Sequence, residues 1–86
     1  MDTNTFTRLL NEAQTLRGRT QDPLVQRWLV GYVRGLEFTQ YRGHEFGNPT
    51  PHEANLAMAN STRPLLRAYG AGYAAGLTGD PCVPPA

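Results

Sequence analysis

The chain has 86 residues, 40% of them apolar and 17% charged, and its eight basic and seven acidic side chains leave a net charge of +1. Such a composition fits one small globular domain with a modest core better than a disordered tail. It also excludes a protein held to nucleic acid by a global positive charge, leaving room only for a local basic patch.

All the basic side chains are arginine, and neither lysine nor isoleucine occurs. Codons for both are AT-rich, so the expected source is a GC-rich bacterium or a phage of one. The opening MDTNTFTRLL has neither the basic start nor the apolar run of a signal peptide. No apolar stretch approaches the roughly 20 residues of a membrane span. Cys82 is the single cysteine and cannot form an internal disulfide. The expectation is a soluble cytoplasmic domain with no membrane partner.

A first helix is predicted over about residues 4–17, capped by Asp2 or Thr3. Phe6, Leu9, Leu10, Ala13 and Leu16 form one apolar stripe at spacings of three and four, and Gly18 supplies a stop. Asp22-Pro23 restarts the chain as a second helix over 23–41. Gly43, Gly47, Pro49 and Pro51 mark a loop. Thr50-Pro51-His52-Glu53 reads as a capping box opening a short third helix over 51–60. Pro64 in a first turn near Ser61 and Thr62 starts a fourth helix over 63–77, which Gly79 and Pro81 end. No segment alternates as a strand does. The fold class is all-α: a compact bundle of four helices over residues 1–79, with an irregular tail at 80–86 of too little side-chain variety to pack.

Helices two and four are related by an internal repeat. PLVQRWLVGYVRGL (23–36) returns as PLLRAYGAGYAAGL (64–77), identical at six of fourteen positions. Leu24, Val25, Trp28, Gly31, Tyr32, Gly35 and Leu36 share one face, and Leu65, Leu66, Tyr69, Gly72, Tyr73, Gly76 and Leu77 share its counterpart. Each helical glycine costs about 1 kcal/mol against alanine, so four of them on apolar faces imply close packing. The expected arrangement is antiparallel, with Trp28, Tyr32, Tyr69 and Tyr73 laid over the glycines of the opposite helix. The alternative is that one glycine face joins two copies as a homodimer. Val30 and Val33 lie opposite the glycines and should be exposed unless the first helix or a partner covers them.

The stretch YGAGYAAGLTGDPCVPP (69–85) resembles the Gly-Tyr-x-Ala-Gly helix and Cys-Pro loop of ribosome modulation factor and of small phage proteins related to it. Trp28-Leu29-Val30-Gly31-Tyr32 is similar to the Trp-x-x-Gly-aromatic helix of that family. The motifs stand here in the opposite order and without the family's heavy basic charge. The resemblance implies a shared packing device and, as one functional option, a ribosome- or RNA-binding modulation factor.

Catalytic chemistry is not expected, nor is a cofactor. His44-Glu45 and His52-Glu53 place their histidines off the i, i+4 metal spacing with no third ligand near, so no metal site is predicted. His52 should lie in an exposed first turn. Cys82 has no basic neighbour in sequence to activate it. The partner-binding candidates are Arg27, Arg34, Phe38 and Tyr41, which cluster at one edge of the second helix, with Arg63 and Arg67 as a second patch. Arginine mixed with aromatics is the composition of interface hot spots and also suits stacking on unpaired bases. The competing interpretation has Phe38 and Tyr41 covering the first or third helix while the arginines lie along the surface. The expected function is therefore non-enzymatic: a small helical protein that occludes a surface of a larger protein or ribonucleoprotein machine. A phage- or mobile-element-encoded inhibitor such as an anti-CRISPR protein has this character; an RNA-binding factor is the alternative.

Overall fold

A computed structural model describes residues 1–41 and 52–85. They form α1 (Thr3–Arg19), α2 (Pro23–Gln40), α3 (His52–Ala57), a 3-10 turn (Met58–Asn60) and α4 (Pro64–Thr78), with no strand among them. The loop glycines and prolines at 43–51, and the first half of the predicted capping box, lie outside the described residues.

Local chemistry sets the helix ends. The Asp2 carboxylate accepts the Thr5 N–H at 2.7 Å, and Asp22 accepts the N–H groups of Leu24 and Val25 ahead of Pro23. Gly18 does not stop α1. The helix continues to Arg19, and Thr20 turns outward with φ −93° and ψ 144°. The reversal is fixed by polar contacts around Thr20: its hydroxyl accepts the Asp22 N–H, and its carbonyl accepts Gln26 Nε2 at 2.7 Å. At the start of α4, Ser61 and Thr62 are not the cap. Pro64 holds the preceding Arg63 extended, so the helix opens one residue later, and Ser61 Oγ accepts the Arg63 N–H. Gly79 ends α4 as predicted, in the left-handed region at φ 69°. The Asp80 N–H returns to the Ala75 carbonyl and the Gly79 N–H to that of Gly76, a Schellman closure.

The α2–α4 pair is the centre of the molecule, and it runs parallel, not antiparallel. Gly31 lies against the backbone of Tyr69 and Tyr73, and Gly35 against that of Tyr73 and Leu77, so both chains ascend together. The reciprocal contacts complete the pair: Gly72 against Trp28 and Tyr32, Gly76 against Tyr32 and Leu36. Backbone, not aromatic ring, fills each notch. A Cβ on any of these glycines would fall far inside contact distance of a carbonyl oxygen, that of Tyr69, Tyr73, Trp28 or Tyr32. Glycine Cα–H groups facing carbonyls across a helix pair add a weak attraction to the packing. The rings stack along their own helices instead, Trp28 on Tyr32 at 5.1 Å and Tyr69 on Tyr73 at 6.5 Å.

The other helices pack around this pair. Helix α1 lays Phe6, Leu9 and Ala13 on Trp28, Leu29, Tyr32 and Leu36, with Leu10, Leu16, Val25 and Val33 at the margin. Val33 is therefore covered from within the chain. Across the molecule, the 3-10 turn sits on Gly70, where a Cβ would collide with the backbone of Met58 and Ala59. Aligning residues 64–77 with 23–36 sets Gly70 opposite Leu29. A leucine there receives a helix and a glycine receives a bare turn. Asn55 of α3 is fully buried.

Residues 80–85 have no regular secondary structure, and they pack on the helices. Tyr32 donates its hydroxyl hydrogen to the Asp80 carbonyl, and Thr39 donates to that of Leu77 at 3.0 Å. Cys82 lies half-buried against the core, and Val83 stands in solvent.

Candidate partner-binding surface

The parallel register decides which residues meet at the surface. The offset that seats Gly31 and Gly72 also puts Pro23 level with Pro64, so α2 and α4 begin at the same end of the molecule. The turn at residues 20–22 brings the C-terminus of α1 there as well. Leu24, Leu65 and Leu66, assigned by their spacing to the packing face, lie beyond the first glycine of each helix and remain 42%, 43% and 37% exposed. Leu65, Leu66, Pro64 and Met58 floor a hollow of about 440 Å³, with Tyr69 at its inner edge and Arg27 and Arg63 at its rim.

Five of the seven arginines among the described residues gather at this end. Arg17 and Arg19 occupy the last turn of α1, where their charge complements the helix C-terminus. Arg27, Arg63 and Arg67 are exposed on α2, ahead of α4 and on α4. Among the described residues the ion pair is Arg8–Glu12 on α1, at 3.4 Å. No carboxylate of the described residues therefore pairs with Arg27, Arg63 or Arg67. Asp22 stands at this end too, with its carboxylate engaged in capping α2.

The structure divides the predicted partner-binding set. Arg27 and Arg63 share one hollow, and Arg67 is exposed one turn beyond Arg63. Phe38 instead lies flat on His52, with centroids 4.0 Å apart and 6° between the planes, and tilts against Tyr73. Tyr41 meets Phe6 of α1 edge-on at 6.1 Å. Arg34 is half-buried beside Glu37. Burial pushes the Glu37 carboxyl above its usual range, and the Arg34 charge opposes that rise. His52 is not in an exposed turn: its Nδ1 is 2.6 Å from the Tyr73 hydroxyl, under the Phe38 ring.

A second, shallower hollow runs along α1 from Asn4 to Leu16 and ends at Cys82. Burial pushes the Cys82 thiol up to about 11, which leaves it protonated and unreactive at neutral pH. Burial also raises the Tyr32 phenol to about 12. Among the described residues no three His, Cys, Asp or Glu side chains meet to hold a metal; His44 and Glu45 lie outside them. No helix among the described residues is long and apolar enough to cross a membrane.

Comparison with family models, with curated proteins and with solved structures finds no match.

Proposed function

We propose that the chain is a non-enzymatic helical binding protein that occludes a surface of a larger macromolecular machine in the cytoplasm. A phage- or mobile-element-encoded inhibitor such as an anti-CRISPR protein would work in this way. The observation that carries the reading is the apolar hollow rimmed by Arg27 and Arg63 at the shared start of α2 and α4. Leucines held half in solvent beside arginines that no carboxylate of the described residues pairs are the make-up of a contact surface, because desolvating both on a partner yields affinity and orientation together.

The gathering of arginines at one end favours a second reading, a ribosome- or RNA-binding modulation factor, in line with the resemblance of residues 69–85. Its affinity would fall steeply as salt rises, through counterion release.

Affinity capture from a bacterial lysate with and without nuclease separates the two. A host complex that survives nuclease and is lost from an Arg27→Glu/Arg63→Glu double variant is the outcome expected of the occluding protein. Ribosomal proteins that disappear on RNase treatment would transfer the function to the second reading.

A further inference from the structure

We infer that the arginine-rimmed hollow docks an acidic amphipathic helix of a protein partner, its apolar stripe on Leu65 and Leu66 in the hollow and on exposed Leu24 at the same end, and its carboxylates on Arg27 and Arg63 at the hollow and on Arg67 one turn beyond. The inference rests on the proposed occluding function and names the chemistry of the surface occluded. Three features select this occupant. The floor is aliphatic, and an aliphatic floor gives phosphates nothing in return for the water they lose. Among the described residues the ring that lines the hollow is Tyr69, and it stacks on Tyr73 along its own helix with 10° between planes, so it is not held out as a platform for an unpaired base. A second copy docked end to end would set these arginines against their equivalents, with like charges brought together. What complements a row of leucines flanked by exposed guanidinium groups is a row of apolar side chains flanked by carboxylates, presented at i, i+3, i+4 and i+7.

The test uses the full chain with leucine methyl and arginine Nε–H groups observed by NMR. The probe is a synthetic helix with leucines at i, i+3, i+4 and i+7 flanked by glutamates. Its controls are the same peptide with lysines for glutamates and a single-stranded oligoribonucleotide. The expected result is that the acidic peptide shifts the methyls of Leu24, Leu65 and Leu66. The lysine peptide and the oligonucleotide should leave them in place. Arg27→Glu/Arg63→Glu, two exposed positions that leave the circular dichroism unchanged, should weaken the acidic peptide by about tenfold or more. The inference is overturned if the oligonucleotide moves these methyls at lower concentration than the peptide, if neither moves them, or if they shift with protein concentration alone as the protein dimerises. Failure here is distinct from failure of the proposed function. A nuclease-resistant complex that survives the double variant keeps that function and moves it to another face. Peptide binding without any captured complex does the reverse.

Discussion

A glycine means opposite things at two places in this chain. At Gly31 and Gly72 the absent side chain is occupied by the carbonyl of Tyr69 or Trp28, whereas at Gly18 nothing lies within 4 Å. Gly72→Ala should therefore destabilise by about 3 kcal/mol or more, since rigid backbone must move to admit a methyl group. Gly18→Ala should stabilise by roughly 0.5–1 kcal/mol through helix propensity alone. Urea unfolding of both variants checks the contrast, and equal effects of one sign would refute the notch. Glu37 carries a pH signature. Its folded carboxyl is held above the ordinary value by burial, so the protonated form is the one the fold prefers. The associated stability is fully present below the unfolded pKa of about 4.3 and is lost as pH rises through the folded value. Glu37→Gln should raise the melting temperature at neutral pH and flatten its pH dependence across that window. A lower melting temperature at pH 7 would show that the Arg34 attraction dominates.

Among the elements, the 3-10 turn and the tail each have a contact that a single substitution can remove. Gly70→Ala should lift the turn from α4 without separating α2 from α4. Hydrogen exchange would then quicken at Met58–Asn60 while the amides of the helix pair stay protected. Tyr32→Phe removes the hydroxyl that anchors Asp80 and should cost about 1 kcal/mol. Native Cys82, half-buried and protonated, should alkylate at pH 8 far more slowly than an unstructured cysteine, and Tyr32→Phe should speed the reaction. Helix positions were legible in the sequence because caps and stops are local: Asp2, Asp22, Pro64 and Gly79 act on their own neighbours. Helix direction was not. The spacing of Gly31 and Gly35 defines a face, and a face accepts a partner running either way. Leu29 and Gly70 escaped notice for a related reason: they lie off the glycine face and meet elements whose placement only the tertiary fold decides.

At the scale of the molecule, a net charge of +1 conceals an uneven distribution. Arg17, Arg19, Arg27, Arg63 and Arg67 are far apart in the chain and meet only because α2 and α4 start level and α1 ends beside them. The sequence singled out Arg27, Arg63 and Arg67 but put them in two separate patches, Arg27 with Arg34, Phe38 and Tyr41 on the edge of the second helix, because only the parallel register brings the two patches to one end. The fold instead commits those two rings to His52 and Phe6.

The reciprocal seating of α2 and α4 also has a kinetic consequence. Each helix is a receptor for the other, and a second molecule offers the same receptors. While the chain folds, closure of the segment that joins the two helices competes with capture of a neighbour. The effective concentration of a short flexible tether is on the order of millimolar, and longer loops fall below it. Refolding from dilute solution should then give monomers. Refolding at high concentration should trap dimers that exchange α4, resolved as two peaks by size exclusion and interconverting only through unfolding.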